Sequence, residues 1–123
     1  MEAMSDLDEI EVLLRAYAAT FDARDDEAFA ALFTEDGVVV QGGRDTVGRE
    51  RLARMIQRTP PSPARHYPEP PTIELKGETA TADSHFRYDT GLGRSITGRY
   101  ADQLRRTPGG WLISRRLIST DPT

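Results

Sequence analysis

The sequence predicts an α+β fold in which three N-terminal helices pack into a strongly curved antiparallel β-sheet shaped like a cone. Three observations carry this reading. Residues 5–22 space their apolar side chains three and four apart, the stripe of an amphipathic helix. Residues 79–119 alternate with period two between glycine-bearing turns, the pattern of a β-meander. The proline-rich run TPPSPARHYPEPP separates the two halves.

Taken in order, Ser5 is the expected N-cap of the first helix, with Asp8 and Glu9 in the acidic first turn that a helix dipole favours. Ile10, Leu13, Leu14, Tyr17 and Phe21 form its apolar stripe. Ala23-Arg24-Asp25 interrupts it, and Asp25 caps a second short helix whose buried face is expected to hold Phe29, Leu32 and Phe33. Glu35-Asp36-Gly37 reads as a turn, Val38 to Val40 as a short strand, and Gln41-Gly42-Gly43 as its end. A third helix follows Gly48, faces inward through Leu52, Met55 and Ile56, and must stop before Pro60. The proline-rich segment is expected to be a loop in which residues 64–67 begin an extended run, continued by a strand over 71–75. Strands over 79–90, 94–106 and 111–119 complete the meander, with turns at 91–93 and 108–110. Alternation puts Ala80, Ala82, Ser84, Phe86 and Tyr88 on one face and Thr81, Asp83, His85 and Arg87 on the other. Ile96, Gly98, Tyr100, Asp102 and Leu104 share a face of the next strand.

With 123 residues, 37% of them hydrophobic, the chain matches one domain spanning 1–123. It has no cysteine, hence no disulfide or thiolate metal site, which fits a cytoplasmic location. No apolar run reaches the roughly 18 residues of a membrane span, and the acidic N-terminus lacks the order of a signal peptide. A net charge of −4 with scattered arginines argues against nucleic acid as a partner. The two histidines lack any metal-binding spacing, so neither metal nor cofactor is expected. Gly42, Gly43 and Gly48 do not make a phosphate loop, and no serine sits in a nucleophile elbow.

Tyr17, Phe86, Tyr88 and Tyr100 are expected to point into the cone, as an aromatic binding pocket or as plain core. Asp102 shares the face of Tyr100 and is expected to pair with Arg115 or Arg116, since a buried charge needs a partner. Trp111 reads as core, and His85 as exposed or placed at a subunit interface. Asp22 is harder to place. At 100° per residue it falls about 110° from the stripe, on the side of Glu11 and Arg15, which is a solvated position.

The segments FDARDDEAFAALFTEDG, ARHY, GETATADSHFRY and GRYADQLRRTPGGWLISRR, in that order, resemble the SnoaL-like branch of the nuclear-transport-factor-2-like (NTF2-like) superfamily over nearly the whole chain. That group includes polyketide cyclases, scytalone dehydratase, ketosteroid isomerase and limonene epoxide hydrolase. The resemblance to scytalone dehydratase implies a catalytic dyad of Asp22 and His66, the aspartate at the end of the first helix and the histidine at the start of a strand. It also shows departures. Phe21 and Gln41 stand where the dehydratase has tyrosines, Thr90 stands nearest its second histidine, and Tyr100 stands opposite its asparagine. The resemblance therefore implies acid–base chemistry without the tyrosines that handle water.

The leading expectation is a cofactor-free enzyme that moves a proton beside a carbonyl in a small apolar, oxygenated, polyketide-like substrate, by cyclisation, isomerisation or elimination. The alternatives are a non-catalytic small-ligand-binding protein and a dimerisation module using the face of His85 and Arg87. A homodimer is what the resemblance implies.

Overall fold

The computed structural model describes residues 4–122. Its order is α1 (Asp6–Asp22), α2 (Asp26–Ala30), β1 (Phe33–Gln41), β2 (Arg44–Val47), α3 (Arg49–Arg58), β3 (Arg65–Pro68), β4 (Thr72–Lys76), β5 (Thr79–Asp89), β6 (Ser95–Thr107) and β7 (Gly110–Thr120). The expected α+β architecture is present: helices held by a curled, unclosed sheet. Among the described residues no helix is long and apolar enough to cross a membrane.

Helix α1 starts where its cap predicts. Ser5 accepts a hydrogen bond from the Asp8 amide at 3.1 Å, satisfying one of the free N–H groups of the first turn. Ile10, Leu13, Leu14 and Tyr17 are buried along it. Asp25 caps α2 by accepting from the Ala28 amide at 3.1 Å. This second helix is shorter than the sequence suggests. It stops at Ala30, Leu32 is only partly buried, and Phe33 already belongs to β1. The carbonyl of Leu32 instead accepts from the Ile113 amide, which draws the chain into the sheet.

The sheet runs β2-β1-β7-β6-β5-β3, with β4 also on β5. Strands β3 and β4 lie end to end along one edge of β5, opposite residues 86–89 and 79–83 respectively. All neighbours are antiparallel except β1 and β7, which run parallel, so the sheet is mixed rather than wholly antiparallel. Alternation within a strand carries no record of direction relative to a distant strand, so the sequence leaves this pairing open.

Two further differences have local causes. Glu35-Asp36-Gly37 is not a turn between elements but lies inside β1, where the register jumps from Phe33 opposite Ile113 to Val38 opposite Arg115. Turn-type residues here make a bulge. The strand β2, which pairs with Val38 to Gln41, is an exposed and polar edge, so no apolar alternation announces it.

A second bulge positions the interior. Gln103 pairs with Arg115 and Leu104 with Ile113, which leaves Ser114 as the extra residue on β7. Ahead of it Trp111 and Ile113 face in; beyond it the parity switches and Arg116 and Ile118 face in. The bulge thus selects Arg116, not Arg115, to meet Asp102. Gly98 on β6 keeps the wall thin at one point, because a Cβ there would lie 2.3 Å from the Ser119 carbonyl oxygen and 2.7 Å from the Phe86 ring. Trp111 is core, as expected, with its indole N–H donating to Asp6 at 3.0 Å.

Candidate active site

Asp22 is the last residue of α1 and His66 the second residue of β3. Prolines at 60, 61 and 63 deny the intervening chain a helix and deliver it extended to the open edge of β5, where His66 pairs opposite Tyr88. Strand β3 packs across the end of α1. That contact overrides the wheel position of Asp22, which pointed to solvent; its side chain is only 15% exposed and that of His66 12%.

The carboxylate holds the histidine twice. His66 donates its backbone N–H to Asp22 Oδ2 at 2.8 Å, and its ring Nδ1 lies 2.7 Å from Asp22 Oδ1. The first contact satisfies an edge-strand amide that would otherwise lack a partner. The second selects a tautomer: an ionised carboxylate only accepts, so in the neutral imidazole Nδ1 carries the proton and Nε2 the lone pair. Phe21 and Tyr88 flank the imidazole, with ring centroids 4.7 and 4.6 Å away.

His66 opens onto a cavity of about 280 Å³. Tyr17, Phe86, Tyr88 and Tyr100, the four expected pocket aromatics, all line it, joined by Phe21, Gln41, Ile96 and Ile118. Phe21 and Ile96 sit beside Asp22 and on the face of Tyr100, so helix and strand position already carried the signal for both. Ile118 was hidden by the β7 bulge. Thr90 lies outside this lining; its hydroxyl donates to the Arg94 carbonyl across the β5–β6 turn.

Deeper in the cone, Arg116 and Asp102 form a bidentate pair, Nε to Oδ1 at 2.7 Å and Nη2 to Oδ2 at 2.9 Å. Burial disfavours the guanidinium charge, but its surroundings, Asp102 foremost with Tyr17 and Tyr100, more than offset this and keep it protonated. The guanidinium carbon stands 3.7 Å from the Tyr100 ring centroid and 4.2 Å from that of Tyr17. Burial pushes the Tyr17 phenol up to about 12 and raises that of Tyr100 too, so both remain neutral hydrogen-bond donors at physiological pH.

His85 lies on the exposed outer face, apart from the dyad cavity, in a shallow depression with Tyr67 and Arg87. Among the described residues no three His, Asp or Glu side chains gather in a way that could hold a metal ion.

Comparison with known proteins agrees with this architecture. Residues 2–117 match the SnoaL-like domain family. The chain is similar to a nuclear-transport-factor-2-like protein with a cystatin-like fold from Novosphingobium aromaticivorans, at 30% identity and a TM-score of 0.80, covering 92% of this chain and 80% of that one. A function-unknown protein from Mycobacterium tuberculosis is 27% identical with a TM-score of 0.86, covering 94% of this chain and 71% of that one. A candidate scytalone dehydratase from Novosphingobium aromaticivorans shares the fold at 22% identity and a TM-score of 0.76, covering 93% and 83%. No curated protein matches the sequence. The chain belongs to the SnoaL-like domain family.

Proposed function

We propose that this SnoaL-like protein is a cofactor-independent acid–base enzyme that acts on a small, largely apolar, oxygenated substrate of polyketide type, with Asp22 and His66 as its catalytic pair. The observation that carries the reading is the double hold of Asp22 on His66, which leaves the imidazole's basic Nε2 as the free nitrogen of a residue lining an aromatic cavity. A structural histidine needs no carboxylate that both fixes its tautomer and anchors its backbone.

In the proposed first step His66 Nε2 takes a proton from carbon next to a carbonyl. The C–H electron pair moves into a new C=C bond, and the carbonyl oxygen becomes an enolate. Asp22 stabilises the imidazolium so formed. Tyr17 and Tyr100, neutral and lining the same cavity, are the hydroxyl donors for the enolate oxygen. Returning the proton to another carbon completes an isomerisation. Delivering it to a departing hydroxyl releases water and completes an elimination. Attack of the enolate carbon on a second carbonyl closes a ring, and the proton then goes to the new alkoxide. Phe86 and Tyr88 supply apolar walls for the ring system.

Because all three outcomes share one step, the test reads that step. Cyclic ketones and 1,3-diketones are incubated with the protein in D₂O, and C–H to C–D exchange beside the carbonyl is followed by NMR. Wild type is expected to accelerate exchange, and His66→Ala to lose about 10²–10⁴-fold of it. Exchange that persists in His66→Ala, or none across the panel, would overturn the reading.

A further inference from the structure

The dyad cavity continues past its own walls. Gln41, the last residue of β1, lines it and also lines a neighbouring groove of about 370 Å³. That groove is formed by Val39, Gln41, Gly42, Arg44 and Thr46 of the β1–β2 hairpin and by Met55 of α3. The chemistry above uses neither Gln41 nor the groove.

The hairpin turn places these side chains. Gly42 and Gly43 have φ of 59° and 76°, the left-handed pair of a two-residue hairpin turn. The register then sets Gln41 opposite Arg44 and Val39 opposite Thr46. Cross-strand partners share a face, so the side of Gln41 that meets the cavity is also the side of Arg44 and Thr46. Asp45, the one acid of β2, alternates to the other face and stays out of the groove.

Charge distinguishes the groove from the cavity. Among the described residues Arg44 is the only charged side chain lining it, and its guanidinium forms no ion pair with any of their carboxylates. The cavity has the opposite character, because the Asp22 carboxylate stands behind His66. In the strand order His66 on β3 and Gln41 on β1 are separated by β5, β6 and β7. A molecule held with one end at His66 and crossing the cavity therefore sends its other end past Gln41 towards Arg44.

We infer that the groove is the second half of the substrate site and holds a carboxylate, paired with Arg44 and hydrogen-bonded by the Gln41 amide. On the dyad reading, on which this assignment rests, the substrate is a ketone whose apolar body lies in the aromatic cavity and whose side arm ends in that carboxylate. The planar guanidinium fork matches carboxylate geometry. Val39 and Met55 give the arm apolar contact, and the Thr46 hydroxyl adds a donor.

The probes are 4-oxocyclohexyl-acetic, -propanoic and -butanoic acids, each beside its methyl ester. The saturated ring insulates the exchanging C–H from the arm, so acid and ester differ mainly in charge. Deuterium exchange in D₂O at low salt gives a KM for each. The acid whose arm fits is expected to have a KM about fivefold below that of its ester, the scale of an ion pair open to water, and to lose this advantage as salt is raised. Arg44→Gln is expected to bring the acid-to-ester ratio to about one, and Arg44→Lys to keep part of the preference. Arg51→Gln, exposed on α3 and outside the groove, makes the same change in net charge and is expected to leave the ratio as it was. No preference for the acid at any arm length, or a preference that survives Arg44→Gln, would overturn the inference. Binding is also read without turnover, in His66→Ala, from the NMR shifts of the Gln41 side-chain amide and the Arg44 Nε–H. These are expected to saturate at lower concentrations of acid than of ester. If no ketone exchanges in wild type, the dyad reading fails and these shifts decide the groove alone. If ketones exchange with no preference for the acid, the groove assignment fails and the dyad reading stands.

Discussion

The cone contains two carboxylate–base pairs that differ in almost every physical respect. Asp102 and Arg116 sit on adjacent strands at paired register positions, with side chains 0% and 1% exposed and two parallel hydrogen bonds between them. Asp22 and His66 come from a helix end and an edge strand 44 residues apart, each retains some exposure, and a cavity opens beside them. A guanidinium keeps its proton at any pH the protein meets, whereas an imidazole exchanges one near neutrality. The sealed pair can therefore organise a core but cannot move protons, and the accessible pair has the opposite capacity. Burial, partner chemistry and access together, rather than the presence of a paired acid, separate structural ions from candidate catalytic ones.

The largest expected effect lies on the sealed side. Asp102→Ala leaves Arg116 as an uncompensated charge between Tyr17 and Tyr100. It is expected to cost about 3–5 kcal/mol in urea unfolding. The accessible pair should reverse the balance. Asp22→Asn is expected to cost about 1 kcal/mol in stability. It should lower ketone exchange about 100-fold, because an amide NH₂ facing Nδ1 donates to it and moves the ring proton to Nε2, where the base is needed. If Asp22→Asn unfolds the protein as readily as Asp102→Ala, both pairs are structural and the contrast collapses.

A smaller effect separates the two regions by pH. The folded-state value of Tyr17 is raised from 10.0 to about 12 by burial. A raised value means that its contribution is complete below pH 10 and is lost as the pH climbs from 10 through about 12. Thermal unfolding should therefore show a decline over that window that is reduced in Tyr17→Phe. Asp22→Asn should reduce the decline less than Tyr17→Phe does, because the Asp22 charge enters only as the smallest cause of the raised Tyr100 value.

The two pairs also differ in how far the sequence disclosed them. Period-two alternation put Asp102 on the face of Tyr100 without ambiguity, but the choice between Arg115 and Arg116 depended on one extra residue, Ser114, that no alternation reveals. For Asp22 the local signal pointed the wrong way. A helical wheel describes a helix against a single apolar neighbour, and it is blind to a strand that crosses the last turn from 44 residues away. Only the family resemblance brought Asp22 and His66 together beforehand. The helices and long strands were legible because their apolar periods are strong. Strand β2 and the parallel β1–β7 pairing were not, because an exposed edge has no apolar face to announce it and direction is set by the global path.

The smallest effect tests how Asp22 is aimed. Arg24, two residues on, is the one non-glycine residue with positive φ among the described residues, at 57°. It closes α1 in a left-handed cap: its N–H donates to the Phe21 carbonyl and the Asp25 N–H to the Thr20 carbonyl, each at 3.0 Å. A side chain in this conformation costs about 1 kcal/mol relative to glycine. The guanidinium returns part of that by donating through Nε to the Thr59 carbonyl at 3.0 Å, tying the end of α1 to the end of α3. Arg24→Gly removes both terms, so stability should change by no more than about 0.5 kcal/mol in either direction. The sealed pair lies outside this turn and should not register the change. The accessible pair hangs from the same last turn, and its exchange rate should fall about threefold if the Thr59 tie holds the carboxylate in line with Nδ1. An unchanged rate would show that β3 alone fixes Asp22, with the edge amide of His66 as the anchor that matters.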